Sequence, residues 1–308
     1  MNIAFQMDDL SKINFATDST ISLIIESQLR GNKNYIYLPG DLFIKNNEVY
    51  AHTCLVTLDI KNPQNYKLTN RKVSKLSNMK FIFIRQDPPF DMSYITSLHI
   101  LELLDKKNTR VINDPKGIRN SPEKILIFDF PKLIPPTIIT RSTDEVMEFL
   151  KKYKQAVIKP IYGNGGDGVF LLSKKDLNLN QILESFLSLS KEPFMVQKYL
   201  PEITRGDKRI ILINGKPAGA IARVPKQNEI RSNIHAGGSA KKVSISKSDH
   251  AICDAIGPEL KKRKLFFVGI DIIGKYLTEI NVTSPTCLIE IKKLSKVDIA
   301  KIIWNQLA

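Results

Sequence analysis

The order of its apolar runs constrains this chain more than any single motif. Up to about residue 120, short apolar runs alternate with helical segments. Residues 2–7 read as a buried strand, 19–30 as a helix with Gly31 just past its end, 35–38 and 81–85 as strands, 94–107 as a helix and 110–113 as a strand. Residues 42–44 and 49–58 flank Asn46-Asn47 and predict a hairpin. Strand–helix–strand order with apolar strands predicts a parallel sheet covered by helices. Beyond that point the texture changes. Ser142-Thr-Asp-Glu145 opens a helix running to about Tyr153, and strands at 156–159, 169–172 and 194–197 enclose a helix at 180–189. Residues 207–213 and 217–222 surround Asn214-Gly215, 248–264 form a helix, and 266–273 and 276–281 form a last hairpin around Gly274-Lys275. Residues 227–240 have no apolar period and predict a mobile loop. The expected fold class is therefore α/β, with an N-terminal parallel-sheet domain over 1–120 and an α+β region over 121–308. The α+β region divides at about residue 200.

The chain has 308 residues, 43% hydrophobic and 25% charged, which excludes wholesale disorder. Its 46 Lys and Arg against 31 Asp and Glu give +15, spread along the chain with no basic tail. That balance attracts anionic small molecules, but aromatic residues are not interleaved with the basic ones, so no nucleic-acid partner is expected. Cys54, Cys253 and Cys287 have no short spacing and exclude a disulfide framework or a CxxC motif. The segment MNIAFQMDDL lacks a basic n-region, and the apolar stretch 265–273 is short and carries Asp271. No membrane partner and a cytoplasmic location are the expectation. The four histidines have no zinc spacing, and no GxSxG elbow is present.

Two constellations carry the chemistry. Gly163, Gly165, Gly166 and Gly168 lie between two strands, not before a helix, which disfavours a dinucleotide fold and leaves a flap whose N–H groups can approach phosphate oxygens. An ordinary flexible hairpin has the same letters, but Lys159 ends the strand leading into this one and Lys124 lies upstream on a predicted helical turn. Asp271, Glu279 and Asn281 sit on the two strands of the last hairpin, with Glu279 and Asn281 on one face. Oxygen-only donors of this kind suit Mg²⁺, whereas the polar side of an amphipathic strand pair is the plain alternative. Arg85, Arg209 and Arg223 add guanidinium groups that fit carboxylates and phosphates.

Taken in order, Met7-Asp8, Arg85-Gln-Asp-Pro-Pro-Phe-Asp91, Glu123-Lys124, Ile158-Lys-Pro160, the 163–168 loop and Gln197-Lys-Tyr-Leu-Pro201 are one half of a longer pattern. Gly206-Asp-Lys-Arg209, Ala222-Arg-Val-Pro225, Arg231-Ser-Asn233, Ala236-Gly-Gly238 and Leu277-Thr-Glu-Ile-Asn-Val-Thr-Ser-Pro-Thr286 complete it. This set, spanning almost the whole chain, resembles the ATP-grasp superfamily and, within it, the bacterial glutathione synthetases. The resemblance implies a pre-ATP-grasp N-terminal domain followed by an ATP-grasp fold, and ATP- and Mg²⁺-dependent ligation of γ-glutamylcysteine and glycine through an acyl phosphate, with Mn²⁺ as the alternative ion. It implies ATP contacts at Lys124, Lys159, the flap glycines, Gln197, Lys198, Tyr199, Leu200 and Asp207, and metal contacts at Asp271, Glu279 and Asn281. Arg209 would stabilise the transferred phosphoryl group. Arg85, Arg223, Asn233, Gly237, Gly238, Ser284 and Thr286 would hold dipeptide or glycine, the 227–240 loop would act as a lid, and the assembly would be a homotetramer. An ATP-grasp ligase for another amino acid, and an inactive ATP- or nucleic-acid-binding module, remain as alternatives.

Overall fold

The computed structural model describes residues 1–307 apart from 228, 230 and 233–236. Its N-terminal part runs β1 (Asn2–Gln6), α1 (Ser19–Leu29), β2 (Lys33–Tyr37), β3 (Leu42–Lys45), β4 (Glu48–Leu58), β5 (Tyr66–Leu68), β6 (Lys72–Lys75), β7 (Phe81–Ile84), α2 (Met92–Glu102), β8 (Arg110–Ile112) and α3 (Pro115–Arg119). It continues with β9 (Thr137–Thr140), α4 (Thr143–Tyr153), β10 (Gln155–Pro160), β11 (Phe170–Ser173), α5 (Leu179–Leu189) and β12 (Phe194–Lys198). The last part is β13 (Asp207–Ile213), β14 (Lys216–Val224), β15 (Ser239–Lys242), α6 (Lys247–Lys262), β16 (Phe267–Ile273), β17 (Tyr276–Asn281), α7 (Leu288–Ser295) and α8 (Ile299–Leu307).

Parallel pairing in the first sheet follows from burial on both faces. β1 pairs in parallel with β2 and β7, and β7 with β8. Ile3, Phe5, Phe81 and Phe83 point to one side, against α1 and α8, whereas Ala4, Ile82 and Ile84 point to the other, against Tyr94, Leu98 and Leu101 of α2. Asp18 and Asp91 start α1 and α2 by accepting the N–H groups of Thr20 and Ile21, and of Tyr94.

The sheet is mixed, not purely parallel. β4 lies antiparallel to β2, and β3, β5 and β6 lie antiparallel to β4. The short, lysine-bearing β5 and β6 carry no apolar alternation from which a strand could be read. The Asn46-Asn47 turn forms as expected, with φ of 53° and 59°. α2 stops at Glu102, short of residue 107, because the Asp105 carboxylate accepts the Lys107 N–H and draws the chain into an Asx turn.

Two antiparallel sheets follow, β11-β10-β12-β9 and β15-β14-β13-β16-β17 among the described residues. Val146, Leu150, Leu183 and Phe186 of α4 and α5 pack on Ile158, Phe194 and Val196 of the first. In the second, Gly215 sits at φ +71° with the Gly257 carbonyl of α6 only 2.7 Å from where a Cβ would be, so the helix crosses the turn at a separation that only glycine permits. β15 pairs Ser239 and Ala240 with Val224 and Arg223, so the end of the expected 227–240 loop is an edge strand. Its polar sequence, Ser-Ala-Lys-Lys, suits an exposed edge and hides the strand from an apolar-run reading.

No element is expected from the sequence beyond residue 281, yet α7 and α8 return to the N-terminal sheet. The buried Trp304 ring lies 5.3 Å from Phe83, and its indole N–H donates to the Leu23 carbonyl at 3.0 Å. The chain end thus covers a face that β1 and β7 would otherwise leave open.

Candidate active site

A cavity opens between the β10–β12 sheet, the glycine loop and the β13–β16–β17 face. Its walls include Lys124, Lys159, Gly163, Gly165, Gly166, Gln197, Lys198, Tyr199, Leu200, Asp207, Arg209, Arg223, Asp271, Glu279 and Asn281. Fifteen of the residues singled out from the sequence therefore meet at one place. A second cavity shares Gly165, Arg209 and Asn281 with it and adds Ser284 and Thr286.

The loop glycines are there for backbone reasons. Gly165, Gly166 and Gly168 have φ of +66°, +87° and +69°, and a Cβ on Gly163 would lie 2.7 Å from the Pro160 ring. Gly168 supports the turn without joining either wall. Opposite the loop stand the two lysines. Lys124, on a turn just before a 3₁₀ segment, donates to the Gly163 carbonyl at 2.5 Å and pairs with Glu279 at 3.0 Å. Lys159 reaches the Gln197 side chain at 3.2 Å, and Gln197 in turn donates to Thr137 at 3.0 Å. Burial pushes the Lys159 ammonium down to about 8, with Lys124 adding to that and Glu279 opposing it. Beyond them, Val157, Leu200, Ile203 and Ile273 make an apolar slot beside the end of β12.

The acidic side is a cross-strand pair. Asp271 of β16 faces Glu279 of β17, and Gly269 faces Asn281, with a register shift after Asp271. The Asp271 carboxylate accepts from Arg209 Nε at 2.5 Å and Nη2 at 2.8 Å and lies 2.9 Å from Arg223. Burial would raise this carboxyl, but Arg209 and Arg223 overcome that and hold it well below the usual carboxylate range. Arg223 also binds Asp207 through Nε at 2.8 Å and through Nη2. Its guanidinium thus reaches two carboxylates from the cavity wall and belongs to a buried network that joins Asp207 and Asp271.

Arg85 is 4% exposed and lies outside both walls, with Nε on Thr20 and its plane over Phe267. Its carbonyl accepts the Ser284 hydroxyl at 3.2 Å, so it supports the turn that carries Ser284 from behind. Gly237 and Gly238 are likewise not wall residues. Asn233 lies outside the described residues, as does much of the expected lid.

Several wall residues escape the sequence reading as site residues: Glu123, Asn164, Asp167, Arg231 and Ser232. Glu123 matters most. One of its carboxylate oxygens accepts from Val282 N, Thr283 N and Thr283 Oγ1 at 2.8, 3.0 and 2.7 Å, which fixes the turn that carries Ser284. Burial and then the Glu279 charge raise its pKa. Its adjacency to Lys124 was the signal available.

The family model of the prokaryotic glutathione synthetase N-terminal domain matches residues 1–119, and that of the prokaryotic glutathione synthetase ATP-grasp domain matches residues 123–296. The chain is 45% identical over 305 residues to the glutathione synthetase of Agrobacterium fabrum, covering 99% of this chain and 95% of that one. It is 39% identical over 307 residues to the glutathione synthetase of Buchnera aphidicola from Acyrthosiphon pisum, covering 99% and 96%. Among solved structures it is similar to the D-cycloserine synthetase DcsG, with a TM-score of 0.71 at 12% identity over all of both chains. It also matches the ATP-grasp ligase PsnB complexed with a minimal precursor, Mg and ADP, with a TM-score of 0.63 at 16% identity over 99% and 96% of the chains. An ATP-grasp fold with this wall of residues, matched in turn by the two family models over residues 1–119 and 123–296, places the chain in the prokaryotic glutathione synthetase family.

Proposed function

We infer that the chain makes glutathione, joining γ-glutamylcysteine to glycine with conversion of ATP to ADP and phosphate. The observation that carries this reading is the convergence of three phosphate-directed cations, Lys124, Lys159 and Arg209, with the Asp271–Glu279 pair beneath one glycine loop. Full-length identity to glutathione synthetases supports the choice of substrates. The division near residue 120 is supported by the gap between the two matched segments.

The residues act on the triphosphate first. The apolar slot and the Gln197–Leu200 stretch take the base, while the 163–168 loop and the two lysines take the phosphates. A cysteinyl carboxylate oxygen then attacks the γ-phosphorus and ADP leaves. Arg209, rigid in its ion pair, stabilises the charge that develops on the transferred group. The glycine amine next attacks the acyl carbon, phosphate leaves and the amine gives up a proton. Exclusion of water protects the acyl phosphate, a role we assign to the segment around Arg231 and Ser232.

Among the described residues no three His, Cys, Asp or Glu side chains converge on one point. A donor set of two carboxylates and the Asn281 amide fits an ion that keeps water and phosphate as its other ligands, as Mg²⁺ does, with Mn²⁺ as the alternative. Asp271, Glu279 and Asn281 would hold it, and when bound it supplies positive charge to the transferring phosphoryl. Ser284 and Thr286 face the acyl side. Cytoplasmic location and a homotetramer belong to the same reading; among the described residues no helix is long and apolar enough to cross a membrane.

Product analysis by mass spectrometry with phosphate release tests the function. The expected result is one glutathione per phosphate from ATP, Mg²⁺, γ-glutamylcysteine and glycine. Phosphate without glutathione would move the chain to another amino acid, and no ATP turnover would make it an inactive module. A second expectation concerns protons. Because the Lys159 pKa is depressed to about 8 in the free chain, most of that group is neutral by about pH 9. Binding the triphosphate restores its charge, so nucleotide binding near pH 9 should take up close to one proton, measured by calorimetry in buffers of different ionisation heat. Lys159→Met should abolish the uptake; equal uptake in the variant would sink the assignment.

A further inference from the structure

A separate cleft of about 300 Å³ lies where β8, the end of α2 and the start of α3 meet the β13–β14 turn and the end of α6. It shares no wall residue with the nucleotide or substrate cavities. Its floor is apolar and buried, formed in part by Leu101, Leu104, Leu265 and Phe266. Its charges are one-sided: Lys106, Arg110, Lys261 and Lys264 stand against Asp114 alone. That one acid is already engaged, since it pairs with Lys106 at 2.9 Å and accepts the Lys116 and Gly117 N–H groups at the start of α3.

Arg110, Lys261 and Lys264 have no carboxylate within ion-pair distance among the described residues. The Arg110 guanidinium lies over the Phe266 ring at 5.1 Å, and burial lowers its pKa. Arg110 is itself exposed; the ring covers one face of its guanidinium while its in-plane N–H groups stay free to meet a counter-charge. Two of the cations come from the N-terminal segment and two from the end of α6. Planar N–H donors beside ammonium groups fit phosphate oxygens, and the apolar floor suits a short carbon skeleton.

We propose that this cleft binds a small organic anion of the phosphate-ester class with two or more negative charges, separate from the nucleotide site and bridging the two halves of the chain. Such a ligand stabilises the folded chain by mass action.

The test uses fructose 1,6-bisphosphate as probe, with the full chain kept saturated in ADP and Mg²⁺ so that the nucleotide site is filled. Titration calorimetry at low ionic strength should show one bound probe, and the melting temperature should rise with its concentration. In Arg110→Gln/Lys264→Gln, affinity should fall at least tenfold and the melting shift should vanish, while glutathione formation without probe matches the parent. Absence of binding to the parent chain, or equal binding to both proteins, would overturn the proposal. So would a changed subunit count in the double variant, since the cations would then face a second copy of the chain.

Discussion

Replacing Glu279 with Gln is expected to lower glutathione formation by about a thousandfold and to leave the protein folded. The side chain sits on the last hairpin, 22% exposed, with Lys124 as its ion-pair partner. The amide keeps the volume and one acceptor oxygen, so the structural cost is the loss of a partly screened pair, within about 1 kcal/mol. Catalysis loses more. Glu279 is one of two carboxylates proposed to hold the cation, and its charge opposes the burial that pulls Lys159 toward neutrality. Without it, metal affinity falls, Lys159 gives up its proton at lower pH, and Lys124 loses its carboxylate partner. The comparison is product formation at saturating ATP, ADP binding with and without Mg²⁺, and the denaturation midpoint. Turnover within tenfold of the parent at an unchanged midpoint would remove Glu279 from the metal site.

Most of the site was legible because it is built from short segments whose order and residue types survive as letters. The β13–β14 and β16–β17 hairpins have their turns in Asn214-Gly215 and Gly274-Lys275, and their pairing puts Asp271, Glu279 and Asn281 on the wall of one cavity. What escaped depends on contacts distant in sequence. Glu123 meets Thr283 across 160 positions, and its place beside Lys124 says nothing of that contact. Arg223 is singled out from the sequence as a guanidinium on a strand, but only the fold shows it facing Asp207 across the hairpin and Asp271 on β16. The α7–α8 end was missed for a similar reason, since Trp304 finds its partners Leu23 and Phe83 in the first third of the chain. β5 and β6 exist because β4 offers an edge, not because their residues favour strands.

Asp271→Asn is expected to destabilise the protein by about 3–5 kcal/mol, because it breaks a buried ion network by removing one member. Arg209, Arg223, Asp207 and Asp271 are each under a tenth exposed and sum to zero charge. The asparagine variant leaves a net positive charge in the protein interior, and Arg209→Gln leaves a negative one. The double variant Arg209→Gln/Asp271→Asn restores neutrality and keeps the Arg223–Asp207 pair. It should therefore lose less than the sum of the singles, by about 1–3 kcal/mol, in chemical denaturation. Synthesis should be lost in all three, since each variant removes Asp271, proposed to hold the cation, or Arg209, proposed to act at the phosphoryl group, or both. The pH dependence has a definite sign. The Asp271 carboxyl is held below its unfolded value of about 3.9, so its contribution is complete above that pH and is lost as the pH falls toward the folded value. The gap between parent and Asp271→Asn should accordingly narrow below about pH 4. Additive single effects, or a gap that stays constant on acidification, would mean that the arginines do not hold Asp271 in solution, and Arg209 would then lack the rigid support that its proposed role at the phosphoryl group requires.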